Sequence, residues 1–255
     1  MEAAADHALL CDTDPVPVEI LNRESEVPVL LLCEHAGRKI PRSLGDLQVN
    51  EDVLISHRAW DIGAEDVALG VSERLNAPLI LQRYSRLVID ANRPPGGTDS
   101  MPEISDGVVV PGNQGLTSAD KQRRIDEIFA PMNGAIEQYL ELGVKACFSI
   151  HSFTPRMNGI DRPWHAGFLT RQAQDTAQTL MRSISRQQPS LELAINEPYQ
   201  IEDETDWFIP HYAEARGLPH CLIEIRNDQI DHVSGAQLWA GCLAKAISEF
   251  METLS

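Results

Sequence analysis

The sequence predicts an α/β protein, a sheet with helices on both faces, and three observations carry that expectation. Short apolar runs recur at residues 29–32, 87–89, 146–150 and 221–223, too brief for helices and suited to strands buried on both faces. Segments with helical periodicity alternate with them. Each run also ends abruptly in polar residues, the placement expected at the carboxyl edge of an open α/β sheet, where sites collect.

In chain order, residues 1–26 are acidic and weakly patterned and read as an arm over the surface. The first strand runs through Val29–Leu32 into Cys33, Glu34 and His35, and Ala36-Gly37 makes the turn. Residues 46–55 suit one helical turn. From Ala64 the apolar positions Val67, Leu69, Val71 and Leu75 predict a helix, with Asp61 near its start, where the helix dipole favours a carboxylate. Residues 79–82 and 86–89 read as strands, the second delivering Asp90, Asn92 and Arg93. The Gly/Pro-rich stretch 94–116 is long enough to be a flap over a site. Thr117 to Asp120 has the form of a capping box, opening a helix to about Leu142 with a bend at Pro131. A strand ending at His151, an irregular stretch 152–167 and a strand at Phe168 follow. Residues 172–187 are helical, and 191–195 lead into Asn196-Glu197-Pro198-Tyr199. A helix over 206–217 stops at Gly217, the usual C-terminal signal. A strand delivers Glu224 and Arg226, and a helix over 234–253 shows Leu238, Cys242, Leu243, Ile247 and Phe250 on one face. No repeat or linker divides the chain, so residues 1–255 are expected to form one domain.

The chain has 255 residues and a formal charge of -17, which argues against nucleic-acid and anionic-membrane partners. Its length is ample for a core without staples. Five cysteines, odd in number and without CxxC spacing, point to a reducing cytoplasm. The start lacks the basic-then-apolar pattern of a signal peptide, and no apolar run approaches the roughly 20 residues of a membrane span.

Two histidines at matching strand ends, His35 and His151, form half of a catalytic metal set that a carboxylate completes. Asp61 and Glu65 are the candidate carboxylates; Glu34 is disfavoured because neighbours on a strand point opposite ways. His57 is ambiguous, and His165, His211, His220 and His232 are expected on loops or surface. Glu224, an acid at an apolar strand end, suits a general base, with a buried ion pair as the bland alternative. Asn92 and Arg93 suit a substrate carboxylate. Arg86 and Asp90 fit either substrate binding or structural support, and Arg226 is a further candidate at the substrate. No GxSxG, P-loop or GxGxxG occurs, so metal-assisted hydrolysis uses the most residues.

The segments CEHAG, HRAWDIGAE, SRLVIDANRPP, IHSFTP, NEPY and IEIRND together resemble the N-formylglutamate amidohydrolase family, from about Val29 to Asp231. The resemblance implies a three-layer αβα fold with a mixed, mostly parallel sheet of phosphorylase/hydrolase type, akin to zinc carboxypeptidases and aspartoacylases. It implies one zinc ion on His35 and His151, Asn92-Arg93 at a substrate carboxylate, and Glu224 as the catalytic glutamate. The carboxypeptidase pattern places a ligand Glu three residues after the first His, where this chain has Arg38. Asp61 is therefore the first choice for the third ligand, ahead of Glu65. The implied reaction removes a formyl or other acyl group from an acidic amino acid such as N-formylglutamate, as in histidine degradation. A related N-acyl amino acid or small-peptide hydrolase, and a non-catalytic binder of an acidic metabolite, are the alternatives.

Overall fold

Strand β2, Val29–Cys33, is buried along its whole length, as an unbroken apolar run requires of a strand covered on both faces. A computed structural model describes residues 8–254. The seven-stranded sheet comprises β1 (Val18–Leu21), β2, β3 (Leu79–Gln82), β4 (Ala146–Phe153), β5 (Ala166–Leu169), β6 (Leu193–Ile195) and β7 (His220–Arg226). Their spatial order is β1-β3-β2-β4-β7-β5-β6. The central strands β3, β2, β4 and β7 are mutually parallel; β1 is antiparallel to β3, and β5 to β7.

Side-chain alternation assigns the two faces. Val29, Leu31, Phe148, Ile150, Ile223 and their neighbours meet helices α1 (Ala64–Leu75), α4 (Gln174–Gln187) and α5 (Val233–Glu252). Leu30, Leu32, Cys147 and Leu222 face the opposite way, onto Met132, Ile136, Phe208 and Tyr212. The expected mixed sheet between two helical layers is thus what forms. No helix among the described residues is long and apolar enough to cross a membrane.

Thr117 closes the expected capping box: Asp120 N–H donates to Thr117 Oγ1 at 3.1 Å, and Thr117 N–H to Asp120 Oδ2 at 3.0 Å. Helix α2 (Ser118–Arg124) continues through a π turn, Ile125–Phe129, into α3 (Ala130–Glu141). Pro131 lies in the first turn of α3, and the wider turn ahead of it accommodates the N–H it lacks.

Three expectations need correction. The arm over 1–26 is more than a surface cover, because its residues Val18–Leu21 pair with β3 and form one edge of the sheet; residues 1–7 lie outside the described part. Residues 86–89 are not a strand. Leu87 and Val88 are buried, but their carbonyls accept from Asn113 Nδ2 and Arg124 Nη1, each at 2.8 Å. Asp90 N–H donates to Ser100 O at 2.7 Å. Burial obliges backbone groups to find partners, and here side chains replace a ladder. The expected helix over 206–217 is a π turn, Ile209–Ala213, followed by a 3-10 turn, Glu214–Arg216, and ends as foreseen at Gly217 with φ 63°.

Gly167 on β5 lies in register with Glu224 on β7. A Cβ there would sit 1.5 Å from the Glu197 carbonyl oxygen, so only glycine admits the close approach of the Glu197-Pro198 backbone at this point. Gly167→Ala should therefore lower stability by about 1–3 kcal/mol, as overpacked sites do. Denaturant titration checks this, and an unchanged midpoint would contradict the close approach.

Candidate active site and metal centre

Parallel register puts Glu224 beside His151, since the two are direct partners on β7 and β4. Both share the face of Leu222 and Cys147. His35 arrives from the end of β2, and Asp61 N–H donates to His35 O at 3.0 Å, tying the segment before α1 to that strand end. These four residues line one cavity of ≈ 750 Å³ at the carboxyl edge of the parallel strands.

Three donor atoms converge there. His35 Nδ1 is 3.1 Å from His151 Nδ1, His151 Nδ1 is 3.0 Å from Asp61 Oδ2, and His35 Nδ1 is 3.5 Å from the same oxygen. Both imidazoles are turned the same way by their outer nitrogens. His35 Nε2–H donates to Asp90 Oδ1 at 2.7 Å, and His151 Nε2–H donates to Glu34 Oε2 at 3.0 Å. Ser149 Oγ–H donates to that Glu34 oxygen as well. With the outer nitrogens committed to carboxylates, two Nδ1 lone pairs and a carboxylate oxygen face one point. Donors about 2.1 Å from a tetrahedral zinc lie about 3.4 Å apart, so this triangle has the size such an ion needs. The carboxylates behind the imidazoles are the usual support of metal-binding histidines. His35, Asp61 and His151, all buried, are thus able to hold a metal ion.

The electrostatics agree with that use. Burial, reinforced by the positive charge of Arg86, lowers the His35 pKa to about 4, so this imidazole is neutral at physiological pH. Burial also opposes charge on His151, but the Glu34 carboxylate outweighs it and its pKa lies above the ordinary value. Asp90 is buried, yet His35 and Arg86 hold it well below the usual carboxylate range. Glu224 shows the reverse: burial raises its pKa. Among the described residues its side chain makes no hydrogen bond, and its Oε2 is fully buried without a partner.

Asp61 receives the Ser152 N–H on Oδ2 at 3.1 Å and pairs through Oδ1 with Arg86. Glu65 is turned away and pairs with Arg83, so it does not share the metal cluster. Arg93 lines the cavity, hydrogen-bonded to Thr205 O, with Nε 3.8 Å from Asp90 Oδ2. Asn92 is occupied: its Oδ1 accepts from the Trp207 and Phe208 N–H groups at 3.2 and 3.1 Å, and its Nδ2 donates to Asp206 at 3.2 Å. Arg226 does not line the cavity; it binds Asp228 and the carbonyls of Arg162 and Pro163. His220, expected on a loop or surface, is buried at the start of β7.

Sequence reasoning did not assign roles to Glu34, Ser149, Arg58, Asp106 or Tyr199. The strand alternation that disfavoured Glu34 stops at Cys33: Glu34 and His35 lie in the turn beyond it and both reach His151, Glu34 at Nε2 and His35 at Nδ1, so Glu34 serves the second histidine. In the 94–116 stretch a hairpin, Ile104–Ser105 with Val108–Val109, turns at Asp106-Gly107 with φ 40° and 75°. Asp106 is held against the cavity wall by Arg58 Nη2 at 3.1 Å and His57 Nε2 at 3.0 Å.

A model of the N-formylglutamate amidohydrolase family matches residues 27–230. The crystal structure of a gene product from Agrobacterium tumefaciens superposes with a TM-score of 0.90 at 33% identity, covering 96% of this chain and 99% of that one. The N-formylglutamate amidohydrolase of Ralstonia eutropha superposes with a TM-score of 0.68 at 18% identity, covering 94% of this chain and 100% of that one. That likeness speaks for the fold. Among curated proteins none matches the chain.

Proposed function

The chain belongs to the N-formylglutamate amidohydrolase family and is a hydrolase acting on amides, and from that premise we propose that it is a zinc enzyme releasing the N-formyl or another small N-acyl group from an acidic amino acid such as glutamate. The observation that carries the reading is the convergence of His35 Nδ1, His151 Nδ1 and Asp61 Oδ2 beside the unpartnered Glu224 carboxylate in one cavity. Zinc held by these donors would polarise the scissile carbonyl and raise the acidity of a water.

The chain's own residues supply the rest. Glu224 takes a proton from the attacking water and passes it to the leaving nitrogen, giving the carboxylic acid and the free amino acid. Its raised pKa makes it a stronger base than an ordinary glutamate. Glu34 and Asp90 keep the outer nitrogens of His151 and His35 protonated, leaving both Nδ1 atoms as lone-pair donors. Arg86 balances the charge of Asp61. Arg93 pairs with the substrate carboxylate, and Asn92 acts one step back by holding the 206–208 segment that forms the neighbouring wall. Free buried thiols at Cys33, Cys147, Cys221 and Cys242 support a reducing, cytoplasmic setting.

Steady-state kinetics on N-formyl and N-acetyl amino acids, with metal analysis of the same preparation, test the reading. Turnover of N-formylglutamate with about one zinc per chain is expected; tight binding of such compounds without turnover would replace it by a binder. Arg93→Ala should weaken recognition of the acidic substrate by about 1.5–3 kcal/mol, the worth of a charged hydrogen bond. A substrate with its carboxylate amidated should lose far less, and equal losses would remove Arg93 from the clamp.

A further inference from the structure

Tyr199 has a hydroxyl proton for which the described residues supply no acceptor. Arg162 Nη1 donates to the Tyr199 hydroxyl at 2.9 Å, and the guanidinium carbon lies 4.9 Å from the ring centre. A guanidinium only donates, so the phenol oxygen is the acceptor and its own O–H is left over. The ring lines the same cavity as Glu224, His35 and His151.

Its place there is fixed from two sides. Gly167 stands opposite Glu224, and its missing side chain admits the Glu197 carbonyl, which carries Tyr199, two residues on, over the face that bears Glu224. Arg162 is set from the other side: its guanidinium also lies 5.9 Å from the Phe153 ring centre, and its backbone carbonyl accepts from Arg226 Nη1 at 3.2 Å. Tyr199 keeps 37% of its surface exposed, and its partial burial and the charge of Glu224 both raise its pKa, so the proton stays on the phenol.

We infer that Tyr199 is a catalytic hydrogen-bond donor, its O–H directed at the oxygen of the scissile carbonyl, with Arg162 and Arg226 as its positioning residues. This rests on the amide-hydrolysis reading of the cavity. A donor aimed where negative charge develops acts on the transition state more than on the bound substrate.

Tyr199→Phe keeps the ring over Arg162 and removes only the hydroxyl. Its kcat should fall about a hundredfold, the scale for one such donor, with KM within about twofold, because uniform binding is not what was removed. Thermal melting should be unchanged. Arg162→Gln should lose less than Tyr199→Phe, and the double variant should be no worse than Tyr199→Phe alone, since the arginine acts through the phenol. A raised KM at normal kcat in Tyr199→Phe would overturn the assignment. A second measurement is independent of turnover: calorimetric titration with a phosphonamidate analogue of an N-acyl amino acid, a stable mimic of the tetrahedral state. Affinity lost in Tyr199→Phe by the same factor as kcat supports the donor, and equal affinity in both proteins overturns it. A wild type without amidase activity, but with this selective loss, would count against the substrate reading and still for Tyr199.

Discussion

His151→Ala is expected to abolish metal binding. The wild-type protein is expected to retain about one zinc ion per chain through dialysis, and the variant close to none, with hydrolysis lost in parallel. The reason lies in the triangle of donors: removing His151 Nδ1 leaves His35 Nδ1 and Asp61 Oδ2, 3.5 Å apart, as two ligands where three converged. His35→Ala should behave alike. Asp90→Ala should be milder, because the imidazole stays but loses the carboxylate that orients it, a change typically worth 10–100-fold in affinity. A pH titration adds a signed test. Metal and proton compete for Nδ1, so affinity falls as pH falls. The His151 pKa lies above the ordinary imidazole value because of Glu34, so it is the first of the two histidines to resist loading on acidification; His35, at about 4, is already neutral there. Stoichiometric zinc retained by the double variant His35→Ala/His151→Ala would overturn the ligand set.

The sheet was legible because its apolar runs are extreme: 29–32, 146–150 and 221–223 leave few alternatives to buried strands. The same signal misled at 86–89, where apolar residues are buried but their carbonyls go to Asn113 and Arg124, which lie more than twenty residues ahead in the chain. Local pattern reports burial and cannot report who satisfies the backbone. The edge strand Val18–Leu21 was hidden for the opposite reason, being short and only half covered, so its alternation is weak. At the site, the residues at strand ends could be foreseen because topology gathers such ends. Asp61 already ranked ahead of Glu65 in the sequence, and the three-dimensional pairing separates them physically: Asp61 joins the two histidines while Arg83 claims Glu65. Arg226 looked like a site residue because it lies two positions after Glu224, but its side chain turns to loop carbonyls beyond the sheet edge. Glu34 behind His151 required the strand register that sets Leu32 beside Ser149, and Asp90 behind His35 arrives from a segment outside the sheet; no single sequence displays either placement.

Glu224→Gln should lower kcat by about a hundredfold or more, the range of a general base whose proton transfer is removed. The substitution keeps the shape and cannot accept a proton at neutral pH. Zinc content should be unchanged, since Glu224 is not among the converging donors. Stability should be unchanged or higher. A carboxylate buried without a hydrogen bond is costly in the fold, and the neutral amide removes that charge. The bland alternative, a structural ion pair, predicts the opposite: a lower melting temperature with activity tracking the folded fraction. The described residues offer Glu224 no arginine or lysine within ion-pair distance, which weighs against it. The pH profile carries its own sign. Burial raises the Glu224 pKa, and the base acts only when deprotonated, so kcat/KM should collapse as pH falls through a value above the ordinary glutamate range. In Glu224→Gln that acid limb should disappear from whatever residual rate remains. Single-turnover kinetics, melting and metal analysis on one preparation decide the matter, and a stable, zinc-loaded variant with near-normal kcat would remove Glu224 from the chemistry.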